Sequence, residues 1–154
     1  MMDNPSVLIV EDEALHAFNY SRILKEMGFE HITIAVDALE AVHLAQKLSP
    51  DLVLMDIGLP GSIDGRSAAN VILSKQKTLI IFITAFGDKE VSTKGSFDTP
   101  DGFGYVVKPY TDNGIKSEIK NGILEAFDQV GGVDYLIEIA RRDPPTFCRL
   151  LAAI

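Results

Sequence analysis

The sequence predicts an α/β fold: a doubly wound five-stranded parallel sheet, strand order 2-1-3-4-5, carrying a short helical extension at its C-terminus. Two observations predict it. Short, β-branched apolar runs alternate with longer stretches of helical spacing over roughly the first 127 residues, and that alternation builds a parallel sheet with helices on both faces. Polar residues able to do chemistry follow the apolar runs, at the strand ends where open α/β sheets bind ligands.

The elements follow in order. Val7–Val10 is a buried strand by its shortness and branching, and it ends in Glu11-Asp12. Ala14–Met27 has helical spacing, with Leu15, Phe18, Ile23 and Met27 expected near one side and Gly28 as the stop. Ile32–Ala35 is the second strand; Asp37 reads as the N-cap of a helix over Ala38–Leu48, which gathers Leu39, Val42 and Leu48. Leu52–Met55 is the third strand and runs into Asp56, with a shorter helix over Gly65–Leu73. Leu79–Ile83 ends in Thr84-Ala85, and Lys89–Gly95 is a short helical candidate. Tyr105–Val107 ends in Lys108-Pro109, and Thr111–Phe127 repeats apolar residues at Ile115, Ile119, Ile123, Leu124 and Phe127. Near-obligatory right-handed crossovers leave few ways to connect such units.

Composition bounds the function. A chain of 154 residues is one domain by length, and 47% hydrophobic with 23% charged residues is enough to bury a core. The net charge of −8 repels phosphate backbones, so direct nucleic-acid binding is not expected. The N-terminal MMDNPSVLIV has no basic region leading a long apolar segment, and no apolar run approaches the roughly 20 residues of a membrane span. A cytoplasmic location is the resulting expectation. The single cysteine, Cys148, excludes an intrachain disulfide and lies in an apolar stripe with Phe147 and Leu151, so a packed or interface thiol is expected.

The strand ends carry the chemistry. Glu11, Asp12 and Asp56 bring three carboxylates to one crevice, where like charges repel. A divalent cation relieves this, and hard oxygen ligands select Mg²⁺, with Mn²⁺ an admissible substitute. An Asp carboxylate is a covalent acceptor for a phosphoryl group, and that transfer needs mainly positioning and neutralisation of the phosphoryl oxygens. Lys108 supplies a second counter-charge and Thr84 a hydroxyl donor. Taken singly each has an ordinary reading: a turn-forming Asp, acids opening a helix, a strand-end Thr, a solvated Lys. Their joint occurrence at four strand ends is what gives them weight.

The segments VLIVEDE, PDLVLMDIGLPG, Asp64-Gly65, FITAF and YVVKPY resemble the response-regulator receiver family, over about residues 5 to 127. The resemblance implies a flavodoxin-like receiver fold over residues 1–127, with Asp56 as phosphoacceptor. It implies a Mg²⁺ site made by Glu11, Asp12, Asp56 and the Gly58 backbone carbonyl. It places the family's switch hydroxyl on Thr84, its lysine on Lys108 and its switch aromatic on Tyr105. The donor it implies is a histidine kinase or a histidine phosphotransfer protein. The output is a switched protein–protein surface rather than catalysis, apart from self-phosphorylation and slow dephosphorylation. Thr84 cannot throw such a switch alone: moving an equilibrium from 1:99 to 99:1 takes about 5.5 kcal/mol, and one hydrogen bond to a charged group supplies roughly 1.5–3 kcal/mol. Two other functions stand beside this one, an unphosphorylated pseudo-receiver scaffold and an Asp-nucleophile phosphohydrolase; the second needs a substrate cap that the sequence does not display.

Three further features complete the reading. The loop Pro60–Gly65 is longer than the family's usual connection and lies beside the predicted pocket. His16, His31 and His43 lack metal-ligand spacing, and His16, one turn after Asp12, is expected on the helix surface. Residues 128–154 fall outside the resemblance: Gly131-Gly132 breaks the chain, Val133–Arg142 is helical, and Asp143-Pro144-Pro145 opens a second short helix. Its stripe of Phe147, Leu150, Leu151 and Ile154 must pack somewhere: on the receiver or a partner protein, on a second copy in a homodimer, or in a further domain that continues beyond residue 154.

Overall fold

In the computed structural model the described residues are 5–84, 103–107, 112–129 and positions 137, 140–142, 144 and 148. The chain runs β1 (Ser6–Val10), α1 (Ala14–Glu26), β2 (His31–Ala35), α2 (Ala38–Leu48), β3 (Leu52–Asp56), α3 (Gly65–Lys75), β4 (Leu79–Thr84), β5 (Phe103–Val107) and α4 (Asp112–Gln129). The sheet order is β2-β1-β3-β4-β5, as the sequence predicts, and every pairing is parallel. The helix expected over Lys89–Gly95 lies outside the described residues, and so does Lys108.

The alternation of a strand decides which helices cover which face. Val7, Ile9, Leu52, Leu54, Leu79, Ile81 and Ile83 point to one side and pack with Ala17, Tyr20, Ile23 and Leu24 of α1 and Ile115, Ile119 and Ile123 of α4. Leu8, Val10, Val53, Met55, Ile80 and Phe82 point to the other, against Ala38, Ala41 and Ala45 of α2 and Ala68, Ala69 and Ile72 of α3. Both faces are dry, which is why these strands read as continuous apolar runs.

The helix boundaries have local causes. Asp37 caps α2, accepting from the Glu40 N–H at 2.8 Å, and the Glu40 carboxylate accepts in turn from the N–H of Val36, the residue before the cap, at 2.8 Å. Asp64 caps α3 through the Ser67 N–H at 2.8 Å. Gly28 ends α1 at φ +99°, a conformation that costs a glycine nothing.

The predicted apolar faces of α1 and α2 need correction. Leu15 and Phe18 are 77% and 68% exposed, and Leu39 is 66% exposed. The buried faces instead run through Ala17, Tyr20, Ile23 and Leu24 on α1 and Ala38, Ala41 and Ala45 on α2. Small side chains on the inner face of α2 let that helix lie close on the sheet, and Leu15, Phe18 and Leu39 are turned outward.

At the base of the sheet Asp51 ties three strands. Its Oδ2 accepts from the Ser6 N–H at 2.9 Å, its N–H donates to the Ser6 carbonyl at 2.9 Å, and its carbonyl accepts from the Leu79 N–H at 3.2 Å. Arg142 of the C-terminal extension lies at the same base, its Nη2 4.0 Å from Asp51 Oδ1. Cys148, in helical conformation, is exposed rather than packed within the chain.

Candidate functional site

The register of the sheet brings the strand ends level. Val10 pairs with Met55, so Glu11 and Asp56, the residues that follow them, leave the sheet side by side. Asp56 pairs with Ile83, and Thr84 with Val107, the residue before Lys108. Tyr105, on the edge strand β5, pairs with Phe82, and β4 lies between it and the strand that carries Asp56.

Glu11, Asp12 and Asp56 form a single cluster, with one carboxylate oxygen from each lying within 4.8 Å of the others. Glu11 and Asp56 are nearly enclosed, at 2% and 9% exposure, and Asp12 is exposed. Two of the three are oriented by the backbone. The Glu13 N–H donates to Glu11 Oε1 at 3.1 Å, and the Gly58 N–H donates to Asp56 Oδ1 at 3.0 Å. The Glu11 N–H in turn donates to the Ala35 carbonyl at 3.0 Å, which fixes the chain as it leaves β1. Three clustered carboxylates, two of them held by backbone N–H groups and withdrawn from water, form a hard-oxygen donor set suited to a small divalent cation. Gly58, whose carbonyl the sequence resemblance enlists, lies at the pocket, and a side chain there would make only ordinary contact, 3.7 Å from Asp56 Oδ1.

Thr84 ends β4 beside this cluster by register, and Lys108 follows the end of β5 outside the described residues. The three carboxylates are therefore brought together as predicted, while for Thr84 and Tyr105 the backbone alone is placed.

Two features stand near the acids: His16, whose approach to the pocket the sequence allows for a histidine one turn after Asp12, and a pair of exposed apolar residues that the sequence reading missed. His16 stands closer to the acids than a plain surface histidine: its Nδ1 is 3.0 Å from Glu13 Oε2 and 4.0 Å from Glu11 Oε1. Leu15 and Phe18, assigned to the core from their spacing, stand in solvent on the first turns of α1, just after the acidic pair. The signal that would have found them is the alanine at position 17, which fills the core-facing turn that a leucine was expected to fill.

Comparisons with known proteins show the family and the fold. The family model for the response regulator receiver domain matches residues 7–120. The transcriptional regulatory protein PdtaR of Mycobacterium tuberculosis is 39% identical over 105 residues, 68% of this chain and 50% of that protein. A protein-glutamate methylesterase/protein-glutamine glutaminase of Archaeoglobus fulgidus is 37% identical over 79 residues, covering 51% of this chain and 22% of that protein. Among solved structures, the signal receiver domain of a modulated diguanylate cyclase from Desulfovibrio desulfuricans superposes with a TM-score of 0.62 at 31% identity, covering 79% of this chain and 94% of that one. The chain thus spans about half the length of PdtaR and less of the methylesterase.

Proposed function

The chain belongs to the response regulator receiver domain family, and from that premise we propose that Asp56 accepts a phosphoryl group from a phosphohistidine on a histidine kinase or phosphotransfer protein. The observation that carries the proposal is the cluster of Glu11, Asp12 and Asp56 at adjoining strand ends. In the transfer a carboxylate oxygen of Asp56 bonds to phosphorus, the phosphorus–nitrogen bond of the donor breaks, and the departing imidazole nitrogen takes a proton from solvent. The Gly58 N–H on Oδ1 holds the plane of the nucleophile, so little orientation remains to be fixed at the moment of attack. Glu11, Asp12, Asp56 and the Gly58 carbonyl would hold Mg²⁺, or Mn²⁺ in its place. Bound there, the cation supplies charge neutralisation for the phosphoryl oxygens.

Thr84 is assigned the hydroxyl that hydrogen-bonds the new phosphoryl group and Lys108 the cation that pairs with it, supported by their positions along β4 and after β5. Tyr105 is assigned the aromatic that follows Thr84 when the surface switches. The exposed Leu15 and Phe18, beside the acidic pair, give a donor protein an apolar footing next to the nucleophile. The receiver is assigned to residues 1–127 and residues 128–154 to an extension of separate role; the receiver's downstream partner is a protein, and the chain works in the cytoplasm. Among the described residues no helix is long and apolar enough to cross a membrane.

The test is intact mass after incubation with acetyl phosphate and Mg²⁺, wild type beside Asp56→Asn. One added phosphoryl group that requires both Mg²⁺ and Asp56 is the expected result. No adduct on folded protein, together with failure to bind a beryllofluoride mimic, would replace phosphorylation with a scaffolding role.

A further inference from the structure

Gly65 is buried and is the first residue of α3, directly after the capping Asp64. A Cβ placed on it would fall onto the Asp56 carbonyl oxygen, far inside contact distance, and would lie 3.0 Å from the Asp56 carbonyl carbon and 3.0 Å from Met55 Cγ. Two of these three atoms are backbone and cannot swing aside. Gly65 does not have a positive φ, so the position demands space rather than an unusual conformation. Its N–H points at the Ile57 carbonyl, 3.4 Å away. On the other side, Asp56 is held in register with Ile83, and the Ile57 N–H donates to the Ile83 carbonyl at 3.2 Å. The peptide carrying Asp56 is therefore wedged between β4 and the first turn of α3, with no room for a methyl group.

We infer that Gly65 is a positioning residue for the phosphoacceptor: the missing side chain at the start of α3 sets where the Asp56 carboxylate stands relative to Glu11 and Asp12. The inference rests on the assignment of Asp56 as acceptor and deepens it. A side chain at position 65 removes no reacting group but displaces one of them, Asp56. Gly122 supplies the contrast. It is buried in α4, and the atoms nearest its added Cβ are those of the Ile81 side chain, from 3.2 Å, on the face of β4 that packs with α1 and α4. Alanine at 122 strains packing without touching the backbone of Asp56.

The experiment compares wild type, Gly65→Ala and Gly122→Ala, after urea unfolding has established the stability of each. Phosphorylation rate is measured against acetyl phosphate concentration at saturating Mg²⁺, and the Gly58 amide resonance is followed by NMR. For Gly65→Ala the maximal rate should fall roughly tenfold to a hundredfold, the scale of an ångström misplacement, with the half-saturating donor concentration unchanged and the Gly58 resonance shifted. Gly122→Ala should keep the wild-type rate and an unshifted Gly58. Wild-type rate and resonance in Gly65→Ala, or equal slowing in Gly122→Ala, would overturn the inference. Should Gly65→Ala unfold, the measurements are repeated in trimethylamine N-oxide, which favours the compact state; a variant still unfolded there makes Gly65 a folding residue and sinks the positioning role. If the wild type itself takes no phosphoryl group, the acceptor assignment fails instead, and the Gly58 resonance alone decides whether Gly65 sets the geometry of Asp56.

Discussion

Asp51 and Asp56 bracket the same strand, one at the base of the sheet and one at its top, and they are used in opposite ways. At the base, the Asp51 carboxylate takes the Ser6 N–H and ties β1 to β3, while its backbone serves both β1 and β4. At the top, Asp56 is set against two further acids, Glu11 and Asp12, with oxygens within 4.8 Å of one another. One carboxylate closes the fold. The other sits in a cluster that costs folding free energy through like-charge repulsion and repays it when a cation or a phosphoryl group arrives. A strand built from apolar residues can afford that cluster because its opposite end is pinned.

Four measurements would sharpen or break this contrast. The largest effect should come from Mg²⁺: at a hundred times its dissociation constant a ligand that binds only the folded state adds about 2.7 kcal/mol. Urea unfolding with and without Mg²⁺ should show that gain in wild type and lose most of it in Glu11→Gln. Asp51→Ala should cost roughly 1–3 kcal/mol, the penalty for orphaning a part-buried donor, and the folded variant should still take a phosphoryl group. If Asp51→Ala were as stable as wild type, the base would not be the anchor described. Asp56→Asn should raise stability in the absence of Mg²⁺ by at least about 1 kcal/mol, the repulsion of two unit charges about 4 Å apart in bulk water and a lower bound for acids withdrawn from it, and the same chemical denaturation series reads it. A drop in stability would mean the three acids are not in conflict.

The smallest effect concerns the cap of α3, beside the top cluster. Burial pushes the Asp64 carboxyl up, but the Ser67 hydrogen bonds and the Arg66 charge outweigh it and hold the group below the usual carboxylate range. A lowered folded-state pKa contributes stability above the unfolded value and loses it as pH falls through the folded value. Wild type should therefore lose more stability than Asp64→Asn between neutral pH and about pH 3, around and below the usual carboxylate value. Parallel pH profiles for the two would contradict the cap's electrostatic share. The charge is half-exposed, so the difference should be small.

The top of the sheet was legible in the sequence because its chemistry demands particular residue types at strand ends. Glu11, Asp12 and Asp56 follow apolar runs, and the structure brings them together. The base was not legible. An aspartate just before a strand reads as loop, and the role of Asp51 depends on Ser6, 45 positions away. The helix faces failed for a different reason. Spacing alone groups Leu15, Phe18 and Leu39 on the apolar sides, whereas the buried faces run through Ala17, Tyr20, Ile23 and Leu24 on α1 and Ala38, Ala41 and Ala45 on α2, where small volume lets the helix approach the sheet. Nor could spacing show that position 65 is sterically closed, since a glycine after a capping Asp is also an ordinary way to begin a helix.

The position of β1 bears on the order in which the chain assembles. It is the first strand made, yet it lies inside the sheet, with β2 on one edge and β3 on the other. Its pairing with β2 closes a short segment through α1; its pairing with β3 must wait for α2 and then bridge the 45 positions from Ser6 to Asp51. Closing the longer span adds only a modest entropic cost over the shorter one, but non-local parallel pairing slows folding. Until β3 arrives, β1 presents one open edge of backbone donors and acceptors to any extended segment nearby. The Asp51 contacts with Ser6 close that edge and leave β2 and β5 as the borders of the sheet.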